Sequence, residues 1–508
     1  MDGLGSTKGN MSFAGFRSSS SILNKIGSNE LLDASDGSVA SRDESIGEDN
    51  NVPTSNGGTT NEGKTDSASL SWYGSVCMGP PDPILGLTEA YNRDTNKMKV
   101  NLGVGAYRDD NGKPFVLPSV RKVRMAEEIL VEARLDKEYA GIAGIPQFCD
   151  AAVRLAFGAD HPVLTRRLNA TVQSVSGTGA LRLAAAFFCC RVCRLSSTII
   201  VKEKFHQGPK VVWVPNPTWN NHGNILRLHG NSLRTYHTGL GMHYYRYYDP
   251  KTCGIDESGL IDDLTVIPRR SIILLHVCAH NPTGVDLNTE QWLKVSEIIR
   301  KRELFPWFDM AYQGFATGDL DRDAYPVRLF LEHGHQLALA QSFAKNMGLY
   351  GERVGALTFV GSQQAEAQCI LSQLKILIRP MISNPPIHGA RITHLILTKP
   401  DLKQQWLQDL KVMTNRIMGA RRSLKDCLEK EGSSRNWQHI VDQIGMFCYS
   451  GLSEAEVNRL IKDYSIYLTK DGRISVAGIS TTNVQYLARA IHEVTNVKNK
   501  QNAASVSL

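Results

Sequence analysis

Three short apolar runs, each leading to a polar group, limit what this chain can fold into. Ser271-Ile272-Ile273-Leu274-Leu275-His276 leads to Asn281, Leu304 to Phe308 leads to Asp309, and Gln336-Leu337-Ala338-Leu339-Ala340 leads to Lys345. Each run is too short for a helix and too uniformly apolar for a strand with one wet face, so each reads as a strand buried on both sides. Asn281, Asp309 and Lys345 stand 28 and 36 residues apart, about one strand–helix repeat each. In open sheets built from such repeats, ligand sites form at the carboxyl ends of the strands. The spacing predicts an α/β fold in which three polar side chains converge on one crevice. Between the first two runs, Asn288 and Gln291 have the cap and N3 spacing of a helix start. Trp292, Leu293, Val295, Ile298 and Ile299 form its expected apolar stripe.

Lys345 sits in a Gly-punctuated turn with Ser342 before it and Arg353 after it, two groups suited to holding a phosphate. A second anion site is expected upstream. Val172-Gln173-Ser174-Val175 is strand-like, and Ser176-Gly177-Thr178-Gly179 then opens a helix at Ala180, presenting free N–H groups and the positive end of the helix dipole. A lysine that forms a Schiff base beside a phosphate clamp is what pyridoxal phosphate chemistry requires. Lys210 to Pro215 reads as another strand, with Trp219 and His222 in the loop after it.

The segment Ser342-Phe343-Ala344-Lys345-Asn346-Met347-Gly348-Leu349-Tyr350-Gly351-Glu352-Arg353-Val354-Gly355 resembles the cofactor-lysine segment of aspartate aminotransferases, most closely the mitochondrial isozyme. The resemblance runs from about Ser71 to about Val497. It implies a fold type I pyridoxal phosphate-dependent transferase. That fold has a large domain with a mostly parallel seven-stranded sheet between helices and a smaller α/β domain. The expected divisions are a disordered extension over 1–70, an N-terminal arm and part of the small domain over 71–115, the large domain over 116–412 and the small domain over 413–508. By the same resemblance, Lys345 is the Schiff-base residue and the proton carrier, and Asp309 keeps the pyridine nitrogen protonated. Asn281 and Tyr312 bond the ring oxygen, and Trp219 stacks on the ring and touches substrate. Ser176, Gly177, Thr178, Ser342 and Arg353 carry the phosphate, with Tyr139 reaching it from the neighbouring subunit of a homodimer. His222 and His276 support Asp309. Gly105 lies against the substrate, Arg473 holds its α-carboxylate, and Arg379 of the other subunit holds its side-chain carboxylate. The implied reaction is amino transfer between L-aspartate and 2-oxoglutarate, with dicarboxylic amino and keto acids as substrates. A transaminase of altered substrate range and a catalytically silent paralogue are the competing readings. Arg379 discriminates the first, and intact Lys345, Asp309 and Arg473 argue against the second.

The sequence departs from the family pattern in places. Tyr139 is followed by Ala140-Gly141, where relatives commonly have Leu-Pro, and there are extra residues near 190–208 and 231–241. In the last third, a long helix is expected over roughly 401–431. Ile466 to Thr469 and Ile474 to Val476 read as a small hairpin around Lys470-Asp471-Gly472-Arg473.

Charge is unevenly placed. Residues 1–69 carry 5 Lys/Arg and 10 Asp/Glu, a net of −5, so the remainder carries +12 of the whole-chain +7. A basic body suits small anionic substrates, and no Lys/Arg block is dense enough to suggest nucleic acid. No run of 18 apolar residues is present to span a membrane. Ten cysteines in 508 residues suggest reduced thiols, and Cys190-Arg191-Val192-Cys193 has no second pair to complete a metal site, so no metal is expected. Residues 1–69 are polar, with Phe13 and Phe16 as their only aromatics, too little apolar surface to offset ordering entropy. Met1 to Asn29 is Ser-rich, basic and acid-poor, the character of a mitochondrial transit peptide. A mitochondrial matrix location is therefore expected, with the cytoplasm as the alternative. Deleting residues 1–69 should leave activity and bound cofactor unchanged, checked by turnover and visible absorbance of the purified truncation; loss of either would show that the tail belongs to the catalytic body.

Overall fold

The computed structural model describes residues 77, 84–123, 136–189, 211–226 and 240–496. The chain separates into two units, Met1–Cys77 and Met78–Leu508, and the fold described is that of the second. The two inserted regions near 190–208 and 231–241, Cys190 with Cys193, and the transit-like stretch all lie outside the described residues, Leu240 and Gly241 excepted.

Seven strands form the main sheet. They are β1 (Asn169–Val175), β2 (Val211–Asn216), β3 (Gly241–Arg246), β4 (Ile272–His276), β5 (Phe305–Met310), β6 (Ala338–Ser342) and β7 (Val354–Val360). Their spatial order is β1-β7-β6-β5-β4-β2-β3. β3, β2, β4, β5 and β6 pair in parallel, and β7 runs antiparallel to both β6 and β1. The sheet is therefore mostly parallel, as the spacing of the apolar runs predicts. Side-chain alternation explains why those runs are apolar throughout. Ile272 and Leu274 face one cluster with Trp307, Ala338 and Ala340, while Ile273 and Leu275 face another with Phe308, Met310 and Leu339. Helix Ser176–Cys189 covers the first face through Leu181, Ala184 and Phe188. Helix Thr289–Lys301 covers the second through Trp292, Val295 and Ile299. A third core gathers around the long helix Pro400–Lys430, with Val484–Thr495 packed on it.

Three expectations change. The helix after β1 starts at Ser176, four residues earlier than Ala180, because Ser176 itself takes φ +60° and turns the chain directly from strand into helix. Asn288 and Gln291 do form a reciprocal capping box, but Leu293 is 38% exposed and lies outside the buried stripe. The hairpin at 466–476 does not form. The turn is present, with Gly472 N donating to Thr469 O at 2.9 Å, but its arms part. Ile466–Tyr467 pairs with Val100–Asn101, and Arg473–Ser475 pairs with Phe447–Tyr449. Each arm finds a longer-range strand with its own apolar face to bury, and local proximity loses.

Gly355 shows how tightly the sheet closes behind the turn at Ser176. It pairs with Ser342 on one side and Ser174 on the other. A Cβ there would lie 2.5 Å from Gln341 O and 2.6 Å from Ser176 C, both backbone atoms that cannot swing away. Gly355→Ala should cost about 1–3 kcal/mol through overpacking, read as a lower unfolding midpoint in urea. An unchanged midpoint would mean that the strands part without cost.

Candidate active site

The crevice forms where the parallel strands end. Asp309 is the next-to-last residue of β5, Lys345 lies three residues past β6, and Asn281 five past β4. Because β7 is antiparallel, its first residue, Val354, is at the same edge, which brings Arg353 there too. Ser176, Gly177, Thr178, Trp219, Ser342, Tyr312 and Gly105 line the same cavity, together with Arg473 from the distant strand Arg473–Ser475. Thirteen of the residues singled out from sequence therefore meet in one place: Gly105, Ser176, Gly177, Thr178, Trp219, His276, Asn281, Asp309, Tyr312, Ser342, Lys345, Arg353 and Arg473.

One end of the cavity is built for an anion. Ser176 Oγ and Ser342 Oγ stand 3.0 Å apart at the start of helix Ser176–Cys189, whose first-turn N–H groups have no helical acceptor. Ser176 (φ +60°) and Arg353 (φ +55°) both hold the left-handed conformation that side chains disfavour, and Ser176 N donates to Arg353 O at 3.1 Å. Strain of this kind persists only where the surroundings impose it. Here it places Arg353 in the lining of the same cavity as the hydroxyl pair, with Nη1 donating to Tyr350 O at 3.0 Å.

At the other end lies a buried charge arrangement. Asp309 Oδ2 accepts from His222 Nε2 at 3.2 Å. Thr218 Oγ joins His222 Nδ1 (2.9 Å) to His276 Nε2 (3.1 Å), and Asn281 N donates to His276 Nδ1 at 3.3 Å. The last bond sets the tautomers. A backbone N–H can only donate, so His276 carries its hydrogen on Nε2, Thr218 passes its own to His222 Nδ1, and His222 Nε2–H points at Asp309. Burial drives the His276 pKa down to about 3, which keeps the ring neutral. For Asp309, burial pushes the carboxyl up, but the His222 hydrogen bond and the nearby charges, Lys345 among them, outweigh it and hold it below its usual value. Burial also lowers Lys345, opposed by Asp309 and aided by Arg353. The result is an ionised carboxylate and an amine eased toward its neutral, nucleophilic form in one dry crevice.

Arg473 is 4% exposed. It donates to Asn281 Oδ1 (3.3 Å) and Gly103 O (3.0 Å), and its Cζ lies 4.3 Å from the centre of the Phe447 ring. A Cβ on Gly105 would meet Phe447 Cζ at 2.9 Å, which accounts for glycine at that position. Phe447, Cys278 and Thr218 escaped the sequence reading. Thr218, four residues before His222, was within reach of a hydrogen-bonding argument; Phe447 enters only through strand pairing with Arg473–Ser475.

Two residues do not join the cavity. Tyr139 is 82% exposed, and Arg379 is exposed with Nη1 donating to Ser383 Oγ at 2.6 Å. Asn384 Nδ2 donates to Ala140 O at 2.6 Å, so the two segments sit side by side on the surface. Ile376, Met381 and Ile382 are exposed on the helix that carries Arg379.

Residues 97–491 match the family described as aminotransferase class I and II. The chain belongs to that family, whose cofactor is pyridoxal phosphate. It is 55% identical over 425 residues, 84% of this chain and 93% of the relative, to the mitochondrial aspartate aminotransferase of Xenopus tropicalis. Among solved structures, the cytoplasmic aspartate aminotransferase of Saccharomyces cerevisiae aligns with TM-score 0.75 at 40% identity, covering 83% of this chain and 98% of that one. An aromatic-amino-acid aminotransferase from Burkholderia pseudomallei, covalently bound to pyridoxal phosphate, aligns with TM-score 0.76 at 39% identity over 84% of this chain and 100% of that one.

Neutral His276 links the site to pH. Its pKa of about 3 in the fold lies below the ordinary 6.5, so between those values the unfolded chain binds more protons. The stability contributed by burying the neutral ring is complete above about pH 6.5 and drains away as pH falls. The advantage of the wild type over non-titrating His276→Gln should shrink by up to about 1.4 kcal/mol per pH unit between about pH 6 and pH 4, measured by chemical denaturation. A difference that stays constant would mean that His276 is already protonated in the fold.

Proposed function

We propose that this protein is an aspartate aminotransferase that moves the amino group between L-aspartate and 2-oxoglutarate, giving oxaloacetate and L-glutamate, as a homodimer with shared active sites. The observation that carries the reading is the meeting of Lys345, Asp309 and Arg473 in one cavity. The donor set fits pyridoxal phosphate. The Ser176–Ser342 hydroxyl pair, the N–H groups at Gly177 and Thr178, and Arg353 suit its phosphate. Asp309 suits a protonated ring nitrogen, Asn281 and Tyr312 its ring oxygen, Trp219 its flat face, and Lys345 its carbonyl carbon. When bound, the cofactor supplies an electron sink for the charge left at the substrate Cα.

The chain's own residues do the rest. Lys345 Nζ would hold the cofactor and carry the proton at the substrate Cα; burial lowers its basicity. Asp309, held ionised, keeps the proton on the ring nitrogen. Arg473 grips the α-carboxylate as a fork with two oxygens, a geometry that lysine lacks. The partner subunit's Arg379 reads the side-chain carboxylate, and the partner's Tyr139 reaches the phosphate. Both residues are exposed in the single chain beside exposed Ile376, Met381 and Ile382, which supports a role across an interface. The division into an arm and part of the small domain over 71–115, a large domain over 116–412 and a small domain over 413–508 belongs to the same proposal. So does a mitochondrial matrix location, supported by mitochondrial relatives from frog, chicken and Dictyostelium.

A heterodimer of one Lys345→Ala chain and one Arg379→Ala chain tests the reading. With Arg379 acting across the interface, one site collects both lesions and the other has none. Aspartate–2-oxoglutarate turnover should then recover to about half of wild type in the isolated, differently tagged heterodimer. No recovery with dimerisation confirmed would sink the shared site, and no turnover in the wild type would sink the activity.

A further inference from the structure

Arg421 is a fully buried cation in the middle of the long helix Pro400–Lys430, 2% exposed and outside the cavity. Such a group normally meets a carboxylate, because an unpaired buried charge is costly. Arg421 meets three backbone carbonyls. Nη1 donates to Ile440 O at 2.8 Å, and Nη2 donates to Gly445 O at 2.9 Å and to Phe447 O. The adjacent Cys448 thiol supplies no counter-charge, since burial pushes it up to about 11.

The segment that Arg421 ties down forms the rear wall of the carboxylate clamp. Gly445 takes φ +78°, and a Cβ there would lie 2.4 Å from Ala279 Cβ. Ile444 N donates to Gly284 O at 2.8 Å, and a Cβ on Gly284 would lie 2.7 Å from Phe447 O. The bonded carbonyl of Phe447 is thus wedged against the loop that carries Asn281, while its ring extends into the cavity beneath the Arg473 guanidinium and meets Tyr312 edge-on at 6.4 Å. The same two strands are stitched together, with Tyr449 opposite Arg473.

We infer that Arg421 is a positioning residue for substrate carboxylate binding: by fixing the Phe447 backbone it sets the ring on which the Arg473 fork lies. The inference rests on the reading of Arg473 as the carboxylate clamp. A planar fork reaches three carbonyls at once; an ammonium on a flexible stem does not hold the same three. Replacing Arg421 by lysine therefore keeps the charge and loosens the segment.

The test uses the full-length holoenzyme and the non-reacting dicarboxylate maleate, with its Kd measured by calorimetry. Arg421→Lys should raise the Kd about tenfold, the scale of one good hydrogen bond. KM for aspartate should rise in step, and kcat at saturation should change far less, because Lys345 and Asp309 are untouched. In a Phe447→Leu background the same change should raise the Kd by less than about threefold, since a partner acting through the ring has lost its lever. Arg473→Lys is measured in parallel. If it binds maleate as wild type does, the clamp is wrong and the inference falls with it. If Arg473→Lys is weakened while Arg421→Lys stays within twofold of wild type, even with a lowered Tm, Arg421 only holds the fold and the inference alone is overturned. A full tenfold effect that survives in Phe447→Leu also overturns it, since Arg421 would then act by another route.

Discussion

The site depends on keeping one carboxylate ionised where water is scarce. Asp309 stands on the central strand β5, with His276 and Ala340 as its neighbours in register on β4 and β6. An isolated charge there would be driven toward protonation by burial. His222, oriented through Thr218 by His276, supplies the hydrogen bond that reverses this, and Lys345 supplies opposite charge. Orientation begins at a backbone N–H, that of Asn281, so the loop after β4 sets the hydrogen positions of both rings. Asn281 itself then touches Arg473. One loop therefore links the Asp309 end of the crevice to the Arg473 end.

The two ends answer different physical problems. The hydroxyls and N–H groups at Ser176 to Thr178 are fixed donors at the positive end of a helix dipole, an arrangement suited to an anion of permanent charge. Arg473 is arranged to suit a group that arrives and leaves. Its guanidinium is buried on Phe447, with only Asn281 and Gly103 as described hydrogen-bond partners and a free Nε, so bonding capacity remains for a ligand. Burial without a resident carboxylate lets a carboxylate ligand compete with weak neutral acceptors instead of with an internal salt bridge.

Much of this was legible in the residues. Lys345, Asp309 and Asn281 were legible because strands buried on both faces are continuous apolar runs, and because βα repeats bring successive strand ends to one edge. The capping box at Asn288 was legible because it is local, with its chemistry inside a few residues. The hairpin at 466–476 was misread because a turn signal says only that the chain reverses; it does not say which strand each arm will join. Leu293 was misread because helical periodicity alone does not show where the covering layer ends.

Sequence by itself determined the α/β class and the order of the strand ends that carry Asn281, Asp309 and Lys345, since these follow from periodicity and spacing along the chain. Tertiary structure alone decided that Phe447 underlies Arg473 and that Thr218 joins two imidazoles into one hydrogen-bonded chain. The physical reason is distance along the chain. Propensity and patterning act over a few residues, whereas a ring beneath a guanidinium or a hydroxyl between two histidines exists only after separate strands and loops have packed against one another.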